Sequence, residues 1–161
     1  MRWIKKGLIF NPAGVVSWAA HSALTPTPLL LEDQKTIRIF AGFRDSDGVS
    51  RIGYVDLSAD DPSRVLGFSR RPVLDVGRDG AFDDNGLILG DVLRHEGQVL
   101  MYYVGFQHVA KAKFLAFSGL ATSKDEGRTF QRYSEVPILD RSTDSLYIRA
   151  IHSILFENGL F

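Results

Sequence analysis

The sequence predicts an all-β protein, a partial β-propeller of about two and a half four-stranded blades. Three observations predict it. First, the chain repeats: Pro72 and Pro137, Leu74 and Leu139, and Asp75 and Asp140 are each 65 residues apart, within RPVLDVG and VPILDRS. A further step back of 65 from Pro72 reaches Gly7, in the degenerate copy KGLIFNP. Second, the runs inside one period are β-branched and aromatic and are separated by polar turns. Third, no segment sustains a helical period over about ten residues. Four antiparallel strands recurring at this interval mark blades that bury their faces on their neighbours.

Each unit reads in order. An apolar inner strand comes first, in HSALTPTPLLLE, NGLILGDVLRHE and RAIHSILFENG. Aromatic second strands follow in TIRIFAGFR and QVLMYYVGF, reached through the polar turns EDQK and HEG. Third strands lie in SRIGYVDLS and FSGLATS, with Gly53 and Gly119 near the same place. The short outer fourth strands are read as PVLD and PILD. HVAKAKFLAF is expected to be a long loop joining the second and third strands of its unit. The units are 21–85, 86–150 and an incomplete 151–161, all within one N-terminal propeller part spanning 1–161. An open stack of this kind leaves strand edges and apolar faces unpaired. The expectation is therefore a truncated piece, or a chain that self-associates to complete the ring.

Composition excludes several function classes. Of 161 residues, 45% are hydrophobic and 24% charged, as in an ordinary globular domain. Nineteen basic residues balance nineteen acidic ones. No basic block provides a nucleic-acid footprint, so no nucleic-acid partner is expected. There is no cysteine, which removes disulfides and thiolate metal sites. MRWIKKGLIFNP lacks a signal-peptide core, and no run approaches a membrane span. The expectation is a cytoplasmic protein with no membrane partner, no metal site and no cofactor.

SKDEGRTF, residues 123–130, resembles the Asp box S-x-D-x-G-x-T-F/W of sialidase-type propellers, with Ser123, Asp125, Gly127, Thr129 and Phe130 all matching. There the box forms the turn between the third and fourth strands and is structural. From about residue 3 onward the chain also resembles the N-terminal half of five-bladed glycoside-hydrolase propellers of the family 43 and 130 kind. GLIFNP, WAAHSALTP, FRDSDG, IGYVDL, PVLDVGRDGAFDDNG, MYYVGF, GLATSKDEGRTF and PILDR are the matching stretches. The resemblance implies a parent of five blades, about 325 residues at this period. It also implies a site at the propeller axis that acts on a glycosidic bond.

In a propeller, residues leading into the inner strands sit at the mouth of the central channel. Asp83 and Asp84, in GRDGAFDDNG, lead into the second inner strand and are the candidate catalytic acids. Glycoside cleavage takes two carboxyl groups on opposite sides of the sugar, about 5–9.5 Å apart. Neighbours on a strand point to opposite faces. Asp83 and Asp84 are therefore not each other's partner: one faces the channel while the other holds the turn. The alternative is turn chemistry alone, since Asp, Asn and Gly suit tight turns. Trp18 and His21 occupy the matching place in the first unit, as a sugar-stacking ring and a polar contact or as packing residues. Arg149 and His152 do so in the third unit. Arg44 and Asp45 sit at the end of the second strand near a rim. There an arginine binds a sugar carboxylate or phosphate, or simply forms a surface ion pair.

The family 43 pattern implies an acidic residue where YIRAIHS offers none. Arginine and histidine there resemble the family 130 phosphorylase style, with inorganic phosphate as co-substrate. Two principal hypotheses follow. One is a hydrolase or phosphorylase acting on an oligosaccharide or glycoconjugate, with this chain an inactive portion of it. The other is a non-catalytic glycan-binding propeller. A sialidase-like enzyme is third, because only Arg44 and Arg149 are candidates for its arginine triad.

Overall fold

The computed structural model describes residues 2–161, and no helix occurs among them. The chain is all-β, as expected. Strands β1 (His21–Leu30), β2 (Thr36–Arg44), β3 (Ser50–Ser58) and β4 (Val65–Phe68) form one antiparallel sheet in chain order. Strands β5 (Leu87–His95), β6 (Gln98–Val109), β7 (Lys113–Ser123) and β8 (Gln131–Arg132) form a second in the same order. A two-residue strand, β9 (Ile148–Arg149), lies parallel to β7. Two four-stranded meanders packed side by side are the blade arrangement of a propeller.

Turn chemistry sets the registers. Asp33 accepts from the backbone amides of Lys35 and Thr36 and from the Thr36 hydroxyl, closing β1 onto β2. Asp45 accepts from the amides of Asp47 and Val49, closing β2 onto β3. Glu96 and Gly97 both have positive φ between the paired residues His95 and Gln98, the two-residue hairpin that matches strand twist.

The repeat is also visible in hydrogen bonds. The amides of Val73 and Leu74 donate to the Ile52 carbonyl at 2.8 and 3.4 Å. Those of Ile138 and Leu139 donate to the Ser118 carbonyl at the same 2.8 and 3.4 Å. Pro72 and Pro137 thus stand in equivalent surroundings.

Three expectations need correction. The outer strands are VLGF and QR, not PVLD and PILD. The latter return to the third strand only through single bridges, Ile52 with Leu74 and Ser118 with Leu139. A proline has no amide to extend a ladder, so each outer edge is broken into two pieces. Second, HVAKAKFLAF is not a loop. The β6–β7 ladder runs unbroken to Val109 and Lys113, with Phe106 and Phe114 edge to face at 5.5 Å. Third, the inner run of the last unit is not a strand beyond Arg149. Among the described residues it has no second strand of its own to pair with.

The main core joins the two sheets. Phe40 and Ile52 of the first sheet pack with Leu87, Leu89, Val99, Met101, Tyr103 and Phe117 of the second. The far face of the first sheet buries Ala41, Phe43, Val55 and Leu57 beneath Phe10, Trp18 and Phe68. An apolar recess of about 240 Å³ remains on that face beside Ile9 and Phe10.

Two polar devices tie the blades. Arg38 on β2 is 2% exposed and holds both oxygens of Asp56 at 2.8 Å. Its third contact crosses to the second sheet, donating to the Glu126 carbonyl at 2.8 Å. The Glu126 carboxylate takes Arg94 from β5 and the Glu32 amide from the β1–β2 turn. The second device is the 123–130 turn. The Gly127 amide donates to Ser123 Oγ, and Asp125 accepts the Thr129 amide and hydroxyl. Phe130 packs edge to face on Phe40 at 5.6 Å.

Gly127 has φ +76°, and a methyl group there would lie 2.4 Å from the Phe40 ring. Gly127→Ala is therefore expected to lower unfolding free energy by roughly 2–4 kcal/mol, from overpacking plus left-handed backbone strain. Urea titration of the variant measures it.

Candidate functional site

The inner strands β1 and β5 begin at the same side of the molecule. Gly86, just before β5, lies against Ser50 at the far end of the β2–β3 hairpin, and Ser50 Oγ donates to the Leu87 carbonyl at 2.5 Å. The starts of the first two inner strands, with the β2–β3 turn, therefore share one rim.

Asp83 and Asp84 occupy different environments. Asp83 is fully buried, with 0% exposure. Its Oδ2 accepts from Tyr103 Oη at 3.1 Å and from Arg132 Nε at 2.8 Å. Burial, together with the Asp83 charge, pushes the Tyr103 phenol far above its usual range. Asp83 Oδ1 has no hydrogen-bond partner. The carboxyl fits there because two glycines leave room: methyl groups at Gly77 and Gly105 would lie 2.1 Å from Oδ1 and 2.3 Å from the Asp83 Cβ. Beside it a 120 Å³ recess is lined by Gly77, Arg78, Ala81, Arg132 and Glu135. Asp84 is partly exposed as a residue; its Oδ2 accepts from the Gly80 amide at 2.9 Å, and its Oδ1 is buried with no partner.

The first unit brings His21 and Arg44 together. They face each other as ladder partners at the ends of β1 and β2, and both are exposed. Between His21 and Thr27 the β1–β2 ladder slips twice, and Ser22 (φ 68°) and Thr25 (φ 46°) are left-handed. Non-glycine residues in that region cost of order 1–3 kcal/mol each and concentrate where a strand must re-aim its side chains. Ser22 Oγ lies 2.9 Å from His21 Nδ1.

Asp45 is engaged elsewhere. It pairs with Arg51 at 2.6 Å. Burial raises its carboxyl pKa, but the Arg51 hydrogen bond and charge and the Val49 and Asp47 amides outweigh that. The net position is below the usual carboxylate range. Trp18 is half-buried, stacks on Phe68 at 5.7 Å and donates from Nε1 to the Arg70 carbonyl. Arg149 donates to the Asp140 carbonyl at 2.9 Å, and His152 is exposed.

Several participants were not singled out from the sequence. Arg132 and Tyr103 hold Asp83, and Arg51 holds Asp45. Asp91, on the inner strand β5, accepts the Ile154 amide at 2.8 Å and so pins the last unit's inner segment. Gly90 before it lies where a methyl group would strike the Ile151 carbonyl, 2.2 Å away. A glycine inside a strand signals such close approach, and GD in LILGDVLRH was the available clue. No cluster of three metal-ligating side chains occurs among the described residues. No helix among them is long and apolar enough to cross a membrane.

No protein-family model matches the chain. It is 32% identical over 139 residues to two uncharacterized proteins of Mycobacterium tuberculosis, one from each of two strains, covering 86% of this chain and 46% of theirs. The chain thus spans about half the length of the curated relatives it matches. Among solved structures, it is similar to a glycosyl hydrolase of Bacteroides ovatus, with TM-score 0.61, 17% identity, and coverage of 81% of this chain and 35% of the other. It is similar to a family 117 glycoside hydrolase of Zobellia galactanivorans, with TM-score 0.54, 18% identity, and coverage of 71% and 33%. It is also similar to a thermostable family-43 glycoside hydrolase, with TM-score 0.53, 22% identity, and coverage of 77% and 41%. At these identities the likeness is one of fold.

Proposed function

We propose that this chain supplies two blades of a five-bladed propeller that binds an oligosaccharide or glycoconjugate at its axis and acts on a glycosidic bond. The observation behind this is the shared rim: His21, Arg44 and the Asp84–Gly86 segment leading into β5 stand on one side of two adjacent inner strands. Repeated likeness in fold to glycoside hydrolases supports the sugar as substrate. The 123–130 turn, read as an Asp box, supports the propeller type. Asp84, the partly exposed member of its pair, is the candidate for substrate contact. Arg149 and His152 belong to the same funnel at its margins, whereas Trp18 packs on the far face of the first sheet against Phe43 and Phe68; inorganic phosphate is a co-substrate to test.

A site at an axis takes walls from every blade, so the 161-residue chain alone is expected to show no turnover. A second reading, glycan binding without cleavage, is favoured by the arginine and tyrosine that already occupy Asp83. Self-association through the exposed apolar blade faces would supply further walls.

The test compares this chain with one of its relatives, about twice as long, on aryl glycosides and oligosaccharides with and without phosphate. The expected result is turnover by the longer protein and at least a 100-fold loss on replacing the residue aligned with Asp84 by asparagine. Binding without turnover establishes the second reading; neither binding nor turnover overturns both.

A further inference from the structure

We infer that His21, Ser22 and Arg44 form an oxyanion site that selects a glycan bearing a carboxylate or phosphate group. The inference rests on the glycan-binding reading above and names its substrate class. All three residues belong to one hairpin, so this subsite needs no other blade.

The ladder sets His21 directly opposite Arg44. Cross-strand partners project to the same side, with Cβ atoms about 4.5–5.5 Å apart. That spacing suits one oxyanion group bridging two side chains. When the Ser22 hydroxyl donates to His21 Nδ1, the ring proton sits on Nε2 and gives an outward donor. The guanidinium of Arg44 adds a planar fork for bidentate contact.

The local charges leave this fork available. Asp45 is the carboxylate adjacent in sequence, and it is spent on Arg51 and on two backbone amides. Arg44 makes no ion pair among the described residues, whereas Arg38, Arg51, Arg78, Arg94 and Arg132 each do. The left-handed Ser22 gives the same strand start its first ladder slip. A regular strand would send Ser22 to the face opposite His21; the slip instead brings hydroxyl and ring within hydrogen-bonding distance. Behind them, Gly42 packs on Leu24 and on the Leu87 carbonyl, which places the pair at the rim shared with β5.

The experiment titrates the 161-residue chain, Arg44→Gln and His21→Gln, by NMR in low-salt buffer. The probes are methyl glucoside, methyl glucuronide, glucose 6-phosphate and inorganic phosphate. The expected result is at least tenfold tighter binding of one anionic sugar than of the neutral one, with shifts at the amides of 20–24 and 42–46. The two anionic arms distinguish carboxylate from phosphate. Arg44→Gln is expected to abolish the preference and His21→Gln to reduce it, each with an unchanged melting temperature. Equal affinity for neutral and anionic sugars overturns the inference and leaves the glycan reading standing. Retention of the preference in Arg44→Gln does the same. Arg44-dependent phosphate binding with no sugar bound overturns the selection of a glycan and assigns the site to free phosphate instead. No binding of any probe overturns the inference; the glycan reading, whose axial site draws on the other blades, is decided by the longer relative.

Discussion

Asp83→Ala is expected to destabilise the chain by roughly 3–5 kcal/mol, the usual consequence of removing one partner of a buried ion pair. The carboxylate is wholly buried, and Arg132 Nε and the Tyr103 hydroxyl converge on the same oxygen. Without it the Tyr103 hydroxyl loses its acceptor, and Arg132 keeps only its contact to the Asp75 carbonyl. Urea unfolding followed by tryptophan fluorescence reads the loss as a lower midpoint. Asp84→Ala is the control: the residue is partly exposed, its carboxylate has no ion-pair partner among the described residues and takes one amide, so its cost is expected to stay near 1 kcal/mol. A difference between the two variants of less than 1 kcal/mol would show that Asp83 does not anchor the second blade.

Arg38→Ala is expected to cost a similar 3–5 kcal/mol. Arg38 holds both oxygens of Asp56, lies over the Tyr54 ring at 3.7 Å and donates to the Glu126 carbonyl. Its removal strands the Asp56 carboxylate and cuts one tie between the sheets. The double variant Arg38→Met, Asp56→Leu separates these effects, since replacing both charges by apolar groups of similar size is often neutral or stabilising. It is expected to recover most of the loss in urea titration. A double variant as unstable as Arg38→Ala would assign the cost to the lost Glu126 contact and not to the unpaired charge.

The parts of the fold legible in the sequence are those with local causes. β2, β3, β6 and most of β7 announce themselves by composition and by polar turns at their ends. Pro72 and Pro137 mark equivalent points because each follows the outer edge of its unit. Val65–Phe68 was hidden by its four-residue length, by Gly67 and by the charged stretch before it. Ala110, Lys111 and Ala112 mask a hairpin because Lys111 at its tip and Lys113 just after it break the apolar alternation.

The candidate site was less legible, for a physical reason. FDDNG reads as turn chemistry whichever way its acids point. What fixes Asp83 lies 20 and 49 residues away in Tyr103 and Arg132, and no local pattern encodes such partners. In the sequence His21 and Arg44 are separate candidates, 23 residues apart. The β1–β2 register makes them a pair, and the slips in β1 that bring Ser22 to the His21 ring leave no mark in HSALTPTPLL.

Every strand in β1–β4 and in β5–β8 pairs with its neighbour along the chain, and the two sheets meet without sharing a ladder. Copying a stretch of about 65 codons would therefore append a finished sheet and leave existing pairings undisturbed. Only the residues meeting the newcomer, such as Arg38, Arg94 and Glu126, would need to adapt afterwards. Growth by tandem duplication is thus open to this architecture at little structural risk, and comparison of substitution rates at seam and strand positions among relatives would reveal its trace.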